Sequence, residues 1–148
     1  MKPPLAVLRP MTPEARESIQ RDDIPIHAFP FRVGRESRFT LVHGVLRSAE
    51  RRKSQGPPNN DLYIIDRGEL LNVSREHFVI ERNEDGALEL VDRGSTCGTD
   101  VDGTRIGGSS GEGRLVLGPG STILVGAGGS PYVFRFELPA GADEESPA

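Results

Sequence analysis

The chain is predicted to be an all-β protein of many short strands, on three observations. Gly (18) and Pro (12) supply 30 of the 148 residues, about a fifth against an average nearer 12%, and helix breakers at that density exclude a helix bundle. Apolar residues recur in short, often alternating runs, each bounded by turn formers. No long segment carries a helical period. The glycines show no triplet repeat, which excludes collagen, and a hydrophobic content of 35% argues against global disorder. A β-sandwich or a barrel remains.

The elements follow in order. Leu5–Arg9 reads as the first strand. Within Met11–Gln20, Thr12 can cap a short helix that has Pro13 at its first position, where the missing N–H costs nothing. Ile26–Val33, Phe39–Val42 and Leu62–Ile65 are further strands. Between the last two, Leu46–Asn60 is polar and basic and ends in Gly56, Pro57 and Pro58, the composition of a long surface loop. Phe78–Glu81 and Leu88–Val91 alternate on either side of Asp85-Gly86, the clearest hairpin signal in the chain. Arg114–Leu117, Ile123–Val125 and Tyr132–Leu138 complete the series. Residues 139–148, small and acidic, are expected to be a disordered tail.

Composition bounds the function. No apolar run approaches the ~18 residues that span a bilayer. The first residues lack the apolar stretch and cleavage site of a secretory leader. Cys97 is the single cysteine and cannot form an internal disulfide, which suits a reducing compartment and a cytoplasmic location. The net charge of −4 gives no global reason to bind nucleic acid or an anionic membrane. Basic charge is nonetheless concentrated early: residues 1–82 carry 14 basic and 11 acidic side chains, residues 83–148 carry 4 and 11. Most of it is arginine, suited to bidentate recognition of phosphate or carboxylate.

Three motifs lie in predicted loops: Gly34-Arg35; Ser74-Arg75-Glu76-His77; and Asp92-Arg93-Gly94-Ser95-Thr96-Cys97-Gly98-Thr99. Loops at one end of an antiparallel sandwich gather into one surface. A guanidinium fork, hydroxyls and loop N–H groups together would satisfy a phosphate dianion.

The order GR, SRxH, GSTxGT and a late LxxGxxIxxG (Leu115–Gly118, Gly120, Ile123, Gly126) resembles the forkhead-associated (FHA) domain, and the resemblance extends from about Leu5 to Leu138. It implies an antiparallel, SMAD/FHA-like β-sandwich of about eleven strands. Residues 1–138 would form one domain with an insertion at about 38–59. It also implies phosphothreonine-peptide binding as a protein-interaction module in Ser/Thr kinase signalling. By that resemblance Arg35 is the principal phosphate ligand, Ser74 and Thr96 donate to the same phosphate, and Arg75 lies over it. His77 is scaffold, and Gly34, Gly94 and Gly98 permit the tight backbone path. No cofactor or metal is implied.

Two departures stand out. Cys97 replaces the Asn that in the family bonds the peptide backbone, and a thiol is a weak donor and acceptor. The loss of one such bond costs about 1 kcal/mol, or up to ~3 if a buried peptide group is left unsatisfied. The other departure is length: residues 38–59 separate GR from the family's Asn-Asp pair, here Asn60-Asp61.

Other functions fit less well. Ser74 or Cys97 with His77 could be a nucleophile and base, but no orienting acid stands at a diagnostic position, so an enzyme is not expected. Three scattered His and one Cys do not make a metal site. Arg47, Arg51, Arg52 and Lys53 form a basic cluster that more simply is a solvated loop than a nucleic-acid site. The alternative that remains is an FHA-like docking module that binds its partner independently of phosphate.

Overall fold

The computed structural model describes residues 3–36, 39–42, 45–48, 59–68, 70–108 and 113–139. Among these, eleven strands form two facing sheets, and a separate hairpin adds two more. The six-stranded sheet contains β1 (Ala6–Pro10), β2 (Ile24–Ile26), β9 (Thr99–Val101), β10 (Thr104–Ile106), β12 (Ser121–Val125) and β13 (Val133–Glu137), in the order β10-β9-β12-β13-β1-β2. The five-stranded sheet contains β3 (Phe31–Arg35), β6 (Leu62–Ile64), β7 (Phe78–Arg82), β8 (Leu88–Asp92) and β11 (Arg114–Val116), in the order β11-β8-β7-β3-β6. All pairings in both sheets are antiparallel except β3 with β6.

Alternation explains how the sheets face each other. Ile123, Val125, Phe134 and Phe136 point inward from neighbouring β12 and β13, with Ile123 opposite Phe134. Val33, Phe78, Ile80 and Leu90 point inward from the other sheet, and all belong to one buried cluster. Period-2 patterning thus puts one face of each sheet in a shared core. The helix α1 (Pro13–Ile19) begins as its residues predict: the Thr12 hydroxyl accepts the Ala15 N–H at 3.1 Å, and Pro13 follows the cap. It buries Ala15, Ser18 and Ile19.

Several sequence expectations are corrected. The run Ile26–Val33 is two strands in different sheets: β2 ends at Ile26 and β3 begins at Phe31, with Pro30 in the crossing. A continuous apolar run does not reveal where the chain changes layers. Leu46–Ser48 are not loop but part of β5 (Val45–Ser48), paired with β4 (Phe39–Val42). The rest of the expected surface loop up to 58, with Arg51, Arg52 and Lys53, lies outside the described residues, as does the tail beyond 139. Strands β9 and β10 went unpredicted because three residues each, mostly polar, carry too little periodicity.

The register also fixes which loops meet. Parallel β3 and β6 end together, with Arg35 opposite Ile64. Antiparallel β7 starts at that same end, where Phe78 pairs with Val33 and with Asp92 at the close of β8. The segments following β3, preceding β7 and following β8 therefore share one apex.

Candidate functional site

At this apex the loop segments are bonded to one another. The Arg35 N–H donates to the Ser74 carbonyl at 2.9 Å, and the Thr96 N–H donates to Ser74 Oγ at 3.0 Å. Ser74 thus joins all three motifs, and its hydroxyl, which accepts the Thr96 N–H, can still donate a bond of its own. Arg35 Nε donates to the Val73 carbonyl at 2.8 Å, which fixes the plane of the guanidinium. Its two Nη groups have no partner among the described residues. Burial holds the Arg35 pKa below its ordinary value, the charge of Arg75 adds to the lowering, and Asp66 opposes it. An arginine remains cationic under such a shift. Arg75 is exposed beside it, as is Thr96.

His77 is fully buried. Its Nδ1 accepts the Ser74 N–H at 2.9 Å, so Nε2 carries the proton and donates to the Gly98 carbonyl at 2.8 Å. Burial, the largest cause, lowers its pKa, in keeping with a neutral ring. With both nitrogens engaged, the imidazole has no lone pair free to take a proton from Ser74 Oγ or Cys97 Sγ.

The glycines act in different ways. A Cβ on Gly34 would collide with the Arg75 carbonyl and stand 2.6 Å from Asn60 Nδ2, so only glycine lets β3 approach the second motif. Gly98 has φ of 78° and packs on Ile106, a left-handed conformation that a side chain would strain. Gly94, at φ of 87°, has open space around it. Cys97 is half-buried, and its thiol donates to the Leu71 carbonyl at 3.6 Å. The side chain is turned toward the loop that precedes the second motif.

Further polar residues, to which the sequence assigns no role, complete the braces. Asn60, buried, donates to the Arg75 carbonyl at 2.8 Å and accepts from Arg93 Nη1. Arg93 also donates to the Asn59 carbonyl at 2.9 Å, and burial lowers its pKa despite Glu76 nearby. Arg105 donates to the carbonyls of Gly126 and Cys97. The Asp66 carboxylate accepts the N–H groups of Gly68, Asn72 and Val73 and the Tyr132 hydroxyl. Burial pushes the Tyr132 phenol up to about 12. Asp92 closes the third loop by accepting the N–H groups of Gly94 and Ser95. That last feature has a local signal, an Asp two residues before a Gly in a turn; the others depend on partners far along the chain.

The FHA domain family model matches residues 31–126. The chain belongs to the FHA family. Solved structures, an FHA among them, share its fold. An engineered FHA with a Myc-pTBD peptide aligns over 97% of this chain and 98% of its own, with TM-score 0.59 and 19% identity. The yeast Pml1 splicing factor aligns over 89% and 78%, with TM-score 0.58 and 20% identity. Mycobacterium tuberculosis EmbR, in complex with a low affinity phosphopeptide, aligns over 93% of this chain, with TM-score 0.53 and 23% identity. This chain spans about a quarter of the EmbR chain, 25%. No curated protein matches.

The FHA fold here brings Arg35, Ser74, Arg75 and Thr96 to one apex with His77, Gly34 and Gly98 beneath them. Cys97 lies at the rim. The basic side chains of the insertion are outside the described residues. Among the described residues no three His, Cys, Asp or Glu stand together as a metal site, and no helix is long and apolar enough to cross a membrane.

Proposed function

We propose that this FHA domain, residues 1–138 acting as one module, binds phosphothreonine-containing proteins at this apex and links them to Ser/Thr kinase signalling in the cytoplasm. It binds its partner without transforming it. The observation that carries the reading is Arg35: a half-buried guanidinium, oriented through Nε, whose Nη groups meet no anion among the described residues. The nearby Asp66 carboxylate is already occupied by four donors. Desolvated charge without a direct counter-ion is costly, and an arriving phosphate would offset that cost. Arg35 is the principal ligand in this reading. The Ser74 and Thr96 hydroxyls and the exposed Arg75 supply the remaining donors. Phosphopeptide complexes of FHA relatives such as EmbR support the same ligand class.

Three or four charge-assisted bonds at roughly 1.5–3 kcal/mol each, less the ordering of a flexible peptide, correspond to low-micromolar affinity. Binding weakens as pH falls below about 6, where the phosphate takes up its second proton. Cys97 favours a second reading, docking independent of phosphate, because the thiol is spent on Leu71 and offers the peptide backbone little.

Fluorescence polarisation with a degenerate phosphothreonine peptide library, beside its unphosphorylated counterpart, separates the two. We expect binding of the phosphorylated library alone, and its loss in Arg35→Ala. That variant gives up one hydrogen bond to Val73, so Tm falls by no more than about 4 °C. A folded protein that ignores phosphate would establish docking instead. Retained binding in Arg35→Ala would put the site elsewhere.

A further inference from the structure

A second group of arginines lies at the same end of the sandwich, outside the motifs. A hollow of about 480 Å³ between α1 and the segment after β6 is lined by Arg16, Glu17, Gln20, Arg21, Asp22 and Arg67. Its position follows from backbone contacts. The Ile65 N–H donates to the Ser18 carbonyl at 3.0 Å, which seats α1 against the end of β6, and Ile64 pairs with Arg35. Arg67 therefore lies three residues beyond the strand position opposite Arg35. Helix α1 stands outside the segment 31–126 that carries the family match.

The charges in this hollow are poorly matched. Asp22 is 3.5 Å from Arg16 and its side chain is 91% exposed, so that pair is weak. Glu17 is in α1 and Arg21 lies beyond its end, past the left-handed cap at Gln20, and no ion pair joins them. Neither Arg21 nor Arg67 has a side-chain partner among the described residues. The carboxylate next to Arg67 in sequence, Asp66, is consumed by its own loop and Tyr132. The Arg67 N–H is itself held by the Tyr132 hydroxyl at 3.1 Å. The Arg67 backbone is thus held, while its guanidinium has no partner among the described residues.

We infer that Arg21 and Arg67, with Arg16, form a second anion subsite that takes a carboxylate or a further phosphate on the ligand peptide, a few residues from the phosphothreonine held at Arg35. The inference rests on the phosphopeptide reading and names a feature of the ligand that reading leaves open. Three residues of chain reach at most ~10 Å and the β3–β6 spacing adds about 4.8 Å, so the Arg35 and Arg67 backbones lie within ~15 Å, about the length of five extended residues. Because these guanidiniums are exposed, the gain is modest and sensitive to salt.

The test is a polarisation titration of the whole chain with a phosphothreonine peptide of neutral flanks. Beside it run two series that place one Glu or one phosphoserine at each of the five positions on either side. We expect one or two positions on a single side to bind about threefold tighter with Glu, and about tenfold tighter with phosphoserine. The gain should disappear in the double variant Arg21→Gln/Arg67→Gln and shrink in high salt, while the neutral-flank peptide binds wild type and variant alike. A gain from both series means that a carboxylate suffices; a gain from phosphoserine alone means that the subsite takes a phosphate. No gain at any position, or one that survives the double variant, overturns the inference and leaves the phosphothreonine site standing. Failure of the neutral-flank peptide to bind removes the phosphopeptide reading itself, and this inference with it.

Discussion

The two ends of the sandwich are built by different means. At the end away from Arg35, each turn is closed largely by its own residues. Asn83 Oδ1 accepts the N–H groups of Asp85 and Ala87 at 2.9 and 3.0 Å, Asp100 Oδ1 accepts that of Gly103 at 2.8 Å, and Ser121 Oγ accepts that of Gly118 at 2.9 Å. These partners are two to four residues apart. At the apex, His77 reaches Gly98 across 21 residues, Thr96 reaches Ser74 across 22, and Arg93 reaches Asn60 across 33. A turn closed locally can form wherever its strands end. Loops tied to one another take their shape only when the sheets have assembled, and that shared shape is what holds Arg35, Ser74 and Thr96 together. A surface made of several loops needs buried polar braces, whereas a connection needs only turn chemistry.

The contrast can be broken at its strongest point by His77→Ala. The Ser74 N–H and the Gly98 carbonyl would both lose their partner and a buried cavity would open, at a cost of about 3–5 kcal/mol. Tm should fall by roughly 6–20 °C, and phosphopeptide affinity should drop about tenfold although His77 touches no ligand; a small change in both would show that the loops do not depend on it. Wild-type stability carries the same signature in pH. Burial keeps the folded His77 pKa below its ordinary value, whereas the unfolded chain takes up this proton near pH 6.5. The unfolded state therefore binds more protons below that pH, so the stabilisation is complete above about pH 6.5 and is lost as the pH falls toward the folded value. Melting curves at pH 7 and pH 5 should show this loss, and it should be smaller in His77→Gln.

Cys97→Asn sharpens the comparison at the rim. An amide restores a donor and acceptor beside the peptide, and affinity should rise about fivefold, equivalent to about 1 kcal/mol, with Tm little changed. Unchanged or weaker binding would mean that the peptide does not pass this residue. The smallest effect belongs to the other end. Asn83→Ala removes one exposed and one partly buried hydrogen bond, should cost about 1 kcal/mol and should leave phosphopeptide affinity as it was. An affinity change would show the two ends to be coupled.

Much of this protein is legible without coordinates wherever the determining interaction is local. Gly and Pro density and short alternating runs indicate strands, Thr12-Pro13 marks the helix start, and Asp85-Gly86 marks the hairpin whose strands β7 and β8 the structure contains. The loop motifs are equally visible as strings, because glycine and hydroxyl residues at tight turns answer to backbone geometry a few residues wide. The layer change between Ile26 and Phe31 is not visible, since either sheet offers the run an apolar face. Nor are the roles of Asn60, Asp66, Arg93 and Arg105, each of which is an ordinary polar residue until its partner arrives from another loop.

Local residue patterns specify a β-rich chain with three polar loop motifs in FHA order. Assembly of the sheets makes these motifs meet, pins Arg35 with its Nη groups unpaired among the described residues, and puts Arg21 and Arg67 at the same end. Hydrogen-bond partners 15 to 38 residues apart are selected by strand register, and register is a property of the assembled sheets.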